Sequence, residues 1–283
     1  MNTTPSIALL VCHFGTFPWY LQYFIQSCKY NPTVDFFIIT DNLETIPNLS
    51  NNVKIVHQTL DVFRNHASKT LDLKISNYVN NNKLSDFKPA YGLLFSEILS
   101  GYDFWGYTDL DIIFGNIRGF MTDDILKNHA IVSGRHDCIY NKFCLFKNNE
   151  DMQTLFKQSR DYQNIFSRPQ RFYFDGCNVH LDQQMQMSIL DFSNCLQSMS
   201  FVVKKAELEN QLNVFYDFLG LAGLAVLKDG VYWNKGALYY KNKFECMYYD
   251  LTQYYIVCQH KKVPERLPDV FGFAMTLPNS FLL

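Results

Sequence analysis

An α/β fold built on a parallel sheet is predicted by three features of the sequence. Short, uninterrupted apolar runs recur early in the chain, at Ser6–His13 (SIALLVCH), Val34–Thr40 (VDFFIIT) and Val53–His57 (VKIVH). Strands of a parallel sheet read this way because helices cover both of their faces. Between the first two runs lies Trp19–Tyr30, with apolar residues at helical spacing, so the chain opens as β-α-β. The composition then supplies a core: 48% of the 283 residues are hydrophobic and 16% aromatic, with 25 Lys+Arg against 27 Asp+Glu. Disordered chains have the opposite balance.

Each element has a local reason. The first strand ends in Phe14-Gly15, a tight turn, and Asn31-Pro32 stops the helix that follows. Asp41-Asn42 closes the second strand, so the carboxyl ends of these strands, where ligands of such sheets bind, are Cys12–Gly15 and Thr40–Asn42. Pro89–Leu99 is a predicted helix, opened by Pro and followed by Gly101. Tyr102–Tyr107 is an aromatic strand, and Ile131–Ser133 and Phe143–Phe146 are further short strands. Helices are expected around Asp151–Tyr162 and Leu219–Leu227, then a strand with a Gly-containing turn at Gly230–Tyr240. No internal repeat or Pro/Ser linker divides the chain.

Several classes are disfavoured. A net charge of -2 leaves no electrostatic footprint for nucleic acid. Met1–Ser6 has no basic n-region, and the longest apolar stretch, Phe218–Leu227, is too short to span a bilayer, so a cytoplasmic protein is expected. The eight cysteines form no C-x-x-C pair and read as small buried hydrophobes.

The chemistry concentrates at Tyr107-Thr108-Asp109-Leu110-Asp111. On an extended backbone, residues i and i+2 share a face. Two carboxylates so placed can hold Mg²⁺ or Mn²⁺, which favour carboxylate oxygens together with substrate phosphates. The spacing alone says little, since about one such pair is expected by chance among 20 Asp. Its setting says more: Phe104-Trp105-Gly106-Tyr107 precede it and Ile112-Ile113-Phe114-Gly115 follow. Carboxylates inside a buried run need a cation or hydrogen bonds to compensate them.

Residues Lys83–Ile117 (KLSDFKPAYGLLFSEILSGYDFWGYTDLDIIFGNI) resemble the core of a bacterial family described as glycosyltransferases and catalogued as a domain of unknown function. Its members share a K-L-x-D-F-K-P-A-Y-G run and a Y-D-F-W-G-x-x-D-L-D-x-x-F-G-x-I signature. Cys12–Pro18, Ser27–Pro32 and Ile39–Asn42 are similar as well, so the resemblance covers residues 6 to about 150. It implies a GT-A-like fold: one catalytic domain over 1–283, with a nucleotide-sugar half (1–150) and an acceptor half (151–283). It further implies a metal site at Asp109 and Asp111 using Mn²⁺ or Mg²⁺, and a donor, UDP-linked, contacted by Thr108, Asp109 and Leu110. Cys12, His13, Phe14 and Gly15 would seat the nucleotide, with Asp41 near the uracil or ribose. Lys83, Asp86 and Lys88 match the charged positions of the first run, where a cation contacts the diphosphate or pairs with Asp109.

The second half departs from the family. Phe174-Asp175-Gly176 stands where members have F-D-E, and Val257 replaces a terminal His, with His260 three residues on as the third metal ligand. Asp182 and Asp175 are the candidates for a base at the acceptor hydroxyl, and Tyr232 and Trp233 for stacking on acceptor sugars. Lys261, Lys262 and Arg266, followed by the apolar stretch Phe271–Leu283, provide for peripheral membrane contact with a lipid-linked glycan acceptor. The function expected is metal-dependent transfer of a sugar to bacterial surface polysaccharide (O-antigen or capsule). The rival readings are a sugar nucleotidyltransferase and a non-catalytic glycan-binding module.

Overall fold

A computed structural model describes residues 4–136, 138–176, 189–191, 196–258 and 266–274. The mixed α/β architecture has a large, parallel-rich sheet. Its first three strands, β1 (Ile7–Cys12), β2 (Val34–Thr40) and β3 (Val53–His57), pair in parallel. β4 (Phe104–Tyr107) joins β1 in parallel on the side away from β2. β5 (Ile112–Phe114) leaves for another sheet, while β6 (Ile131–Ser133), β7 (Cys144–Lys147) and β8 (Val214–Tyr216) complete the first. The order is β3-β2-β1-β4-β7-β6-β8, with β7 antiparallel to both neighbours.

Strand alternation distributes the apolar runs between two cores. Ala8, Leu10, Phe37, Ile39, Trp105 and Tyr107 face one side, against Phe63 and Ala67 of a helix at Leu60–Leu71. Ile7, Leu9, Val11, Phe36 and Ile38 face the other, against Phe24 and Ile25 of α1 (Leu21–Lys29). The helix at Leu60–Leu71, here α2, starts where the Thr59 side chain accepts the Val62 N–H, the usual way of satisfying an orphan donor.

The aromatic residues mostly build these cores. Trp105 stacks on Phe146 with centroids 4.6 Å apart. A third core lies under a four-stranded sheet formed by β10 (Val231–Asn234), β11 (Ala237–Tyr240), β12 (Phe244–Cys246) and β14 (Val270–Phe273). The β10–β11 hairpin turns through Lys235 and Gly236, both at positive φ, which suits a two-residue hairpin loop. β9 (Gly220–Leu221), β13 (Tyr248–Asp250) and β5 form the remaining sheet, β13 in its middle.

The differences from the sequence expectation arise where tertiary contacts override local pattern. Pro89–Leu99 is not one helix: a 3₁₀ turn spans Ser85–Ala90, and α-helix covers only Tyr91–Leu94. The stretch Asp151–Tyr162 breaks at Ser159, whose hydroxyl donates to the Gln197 carbonyl. Leu219–Leu227 splits because Gly220 and Leu221 pair with β13, leaving the helix at Leu224–Asp229. The apolar stretch from Phe271 is no free tail at its start, since Val270–Phe273 is a sheet strand and Phe273 is fully buried.

Candidate functional site

The chain runs outward from β1 to β2 and β3, then returns to β4 on the other side of β1. Beyond the carboxyl ends at such a reversal an open α/β sheet forms its ligand crevice. A cleft of about 400 Å³ lies there, lined among others by Cys12, His13, Lys88, Asp109, Asp111, Lys142 and Arg171.

Asp109 and Asp111 do not sit on an extended strand. They occupy the turn between β4 and β5, where the Ile112 N–H donates to the Asp109 carbonyl at 3.2 Å. Leu110 between them turns into the core. The turn, not strand alternation, makes the two carboxylates converge.

Their point of convergence is filled by an ammonium. Lys142 Nζ donates to both oxygens of Asp111, at 2.8 and 2.7 Å, and stands 3.3 Å from Asp109. Lys88 Nζ donates to the other oxygen of Asp109 at 2.6 Å and to the Asn141 carbonyl at 2.6 Å. The Thr252 hydroxyl adds a bond to Asp111 at 3.2 Å. Burial by itself raises the Asp109 carboxyl, but the charges of Lys88 and Lys142 outweigh it and hold the group down at about 2. Asp111 shifts the other way, raised by burial and by the charges of Asp109 and Asp250. Burial opposes the Lys142 charge, yet Asp109, Asp111 and Asp250 together lift it well above the ordinary lysine range.

Sheet register brings these groups together. β7 is antiparallel to β4 with Tyr107 opposite Cys144, so the residues just beyond, Asp109 and Lys142, meet at the same end. β13 is antiparallel to β5 with Asp250 opposite Ile112, and the Leu251 N–H donates to the Asp111 carbonyl at 2.8 Å. That contact delivers Thr252.

The remaining expected residues fall into distinct places. The Cys12–Gly15 turn is held by Asn81, which accepts the Phe14 N–H at 3.1 Å and donates to its carbonyl. Asp41 accepts the Gly15 N–H at 2.6 Å, so one of its oxygens secures that turn. Burial pushes the Cys12 thiol up to about 12, which keeps it protonated. Phe14 and Thr108 are buried. Lys88 does pair with Asp109, but Lys83 and Asp86 make a separate, wholly buried ion pair and offer no charge to the cleft. Asp175 lies in the fields of Arg171 and Lys88, and burial raises its carboxyl to about 6.

Trp233 is not placed to stack on a sugar. It is fully buried, its indole N–H donates to the Phe114 carbonyl at 2.8 Å, and its ring lies against Phe271. Alternation puts its neighbour Tyr232 on the outer face, beside a hollow of about 430 Å³ shared with Tyr239 and Asn242. Asp182, His260, Lys261 and Lys262 lie outside the described residues.

Sequence reasoning missed Lys142, Arg171 and Thr252. Arg171 lies 4.1 Å from the Tyr173 ring centroid, and its Nε is buried without a partner among the described residues. Nothing local in the sequence marks these three, since their meeting depends on strand register and on the returning segment at 171–175.

Fold and site thus define an α/β protein with a carboxylate–lysine cleft at the reversal point of its main sheet. The chain belongs to a family of unknown function (DUF6625), whose profile matches residues 9–277. No curated protein matches it. Among solved structures it is similar to mouse xyloside xylosyltransferase 1 in its apo form, at 10% identity and TM-score 0.41, covering 78% of this chain and 88% of that one. The galactosyltransferase LgtC in complex with donor and acceptor sugar analogues is similar at 12% identity and TM-score 0.34, covering 58% and 66%. The apo form of glycosyltransferase GlyE from Streptococcus pneumoniae TIGR4 is similar at 10% identity and TM-score 0.37, covering 76% and 46%. The chain therefore spans about two thirds of LgtC and less than half of GlyE. At these scores nothing about activity follows from the likeness. No helix among the described residues is long and apolar enough to cross a membrane.

Proposed function

We propose that the protein is a glycosyltransferase of GT-A-like organisation, moving a sugar from a UDP-linked donor to a glycan acceptor in surface polysaccharide synthesis. One observation carries this reading: Asp109, Asp111, Lys88, Lys142 and Arg171 meet in a single cleft at the reversal point of the sheet. A carboxylate pair surrounded by cationic side chains, beyond the ends of β1 and β4, suits a ligand carrying a diphosphate.

A divalent cation fits this floor, because two hard carboxylates converge on one point that a cationic group already fills. Asp109 and Asp111 would hold it, and when bound it would neutralise charge on the departing diphosphate. Among the described residues no three His, Cys, Asp or Glu side chains are grouped to bind a metal; His260, which lies outside the described residues, is proposed as a further ligand.

The chain's own groups do the rest. Lys88 fixes Asp109 and holds the Asn141 loop to the cleft wall. Arg171 presents a guanidinium to the cleft, whose planar fork matches phosphate oxygens. The Cys12–Gly15 turn, braced by Asn81 and Asp41, seats the nucleotide. Asp175, with a carboxyl at about 6, has the proton affinity suited to a base near neutral pH, and Asp182 shares this assignment. Tyr232 supplies an exposed ring for the acceptor. The reaction is assigned to the cytoplasm, at the inner membrane face for a lipid-linked acceptor.

The test is a panel of nucleotide sugars with Mn²⁺ and no acceptor, read as slow release of nucleoside diphosphate. Release from a UDP-sugar, lost in Asp111→Ala, is expected. Neither release nor a thermal shift with any nucleotide sugar plus metal would overturn the reading. Consumption of UTP with a sugar 1-phosphate would replace it with a nucleotidyltransferase.

A further inference from the structure

We infer that Lys142 is a resident counter-cation: in the ligand-free protein its ammonium fills the divalent-cation position at Asp109 and Asp111, and it must leave before a metal enters. The inference rests on the proposed use of that acidic pair, and it concerns how the pair is held before substrate arrives. Nζ is within 2.7–2.8 Å of both Asp111 oxygens and 3.3 Å from Asp109. A metal on the same oxygens would sit about 2 Å from them, in contact with the ammonium. Two cations at that separation repel each other strongly, so each excludes the other.

The two lysines differ in how firmly they are anchored. Lys88 is 4% exposed and tied also to the Asn141 carbonyl. Lys142 is 17% exposed, and its bonds run to the two aspartates alone among the described residues. Its long flexible stem can carry the ammonium into the cleft it already lines.

Charge counting gives the consequence. Asp109 and Asp111 are each ion-paired, with Lys88 and Lys142, so the acidic pair itself has no unmatched charge to attract a free metal. A nucleoside diphosphate brings the anion that receives the displaced ammonium. Metal and nucleotide therefore bind cooperatively, each raising the affinity of the other by the same factor, and Lys142 moves from the acidic pair to the diphosphate.

The test measures Mn²⁺ binding directly, by electron paramagnetic resonance of the free ion, for wild type and Lys142→Met. Wild type should bind Mn²⁺ weakly alone and at least about tenfold more tightly with UDP, within the usual range of coupling between sites. Lys142→Met should bind Mn²⁺ alone about tenfold more tightly than wild type, with much less gain from UDP. Equal or weaker metal binding by the variant overturns the inference. A measurement on the native protein covers a variant that fails to fold: acetylation of Lys142, followed by mass spectrometry, should rise several-fold when Mn²⁺ is added alone at saturation. No rise overturns the inference. Absence of Mn²⁺ binding to either protein also overturns it, whereas metal-independent UDP binding would leave the transferase reading standing. Metal displacement of Lys142 with no response to any nucleotide would leave Lys142 as the counter-cation and overturn both its transfer to a diphosphate and the transferase reading.

Discussion

Lys83 and Asp86 face each other at 2.8 Å with neither side chain exposed to solvent, and Asp86 does more than neutralise its partner. Its two oxygens accept the backbone N–H groups of Phe172 and Phe174, at 2.8 and 2.9 Å. Lys83 in turn donates to the Ile165 carbonyl at 2.6 Å. The pair therefore pins the segment that carries Arg171 and Asp175 against the residues that carry Lys88. Its place in the molecule is beneath the cleft, as the mount for part of its wall.

Removing one partner of such a pair leaves a buried charge or buried amides without compensation. Asp86→Ala should lose about 3–5 kcal/mol of stability in urea denaturation, and folded variant should bind UDP less well as Arg171 loses its support. Unchanged stability would show that the pair is dispensable.

Asp175 and Asp109 should leave opposite marks on stability against pH. Asp175, at about 6 in the folded chain against 3.8 in an unfolded one, contributes stability that is present below 3.8 and lost as pH rises through about 6. A shift of this size corresponds to roughly 2–3 kcal/mol. Asp109, held at about 2, contributes stability present above 3.8 and lost as pH falls through 2. Asp175→Asn should flatten the decline between pH 4 and 6 and leave the acid limb in place. Denaturation midpoints across pH 2–8 separate the two.

Gly106 is the point at which the sheet controls the site. A Cβ there would lie 2.3 Å from the Cys144 carbonyl oxygen, a backbone atom that cannot swing aside. Gly106→Ala should force β4 and β7 apart beside the Tyr107–Cys144 pair and cost about 3 kcal/mol. It should also weaken nucleotide binding, because that pairing sets Lys142 against Asp109 and Asp111. Thermal melts and UDP titration read both effects.

Trp233→Phe distinguishes core from acceptor contact. The change strands the Phe114 carbonyl that the indole now satisfies, at a cost of about 1–3 kcal/mol. Its effect should appear in unfolding and not in the dependence of transfer on acceptor concentration. Tyr232→Ala, on the outer face, should show the reverse.

The parts of this molecule legible in its sequence are those written in local pattern. Val34–Thr40 and Val53–His57 are strands at those bounds, because a continuous apolar run of that length has few other ways to be buried. Asp109 and Asp111 were conspicuous because charge inside an apolar run demands compensation, and the structure supplies it. The identity of the compensating groups was not legible. Lys142 lies 31 residues from Asp111 in sequence, and only antiparallel register places them together. Trp233 and Tyr232 are adjacent and chemically alike, so composition could not tell which of them faces the core. Alternation along β10 decides it.

The bond from Thr252 to Asp111 spans 141 positions of the chain, and β13, which delivers it, lies between two strands made long before and shortly before it. During synthesis the carboxylates of Asp109 and Asp111 emerge well ahead of the strand that closes over them. A growing polypeptide consequently carries the acidic pair without its final enclosure, and the finished cleft comes into being only after Thr252 has been made.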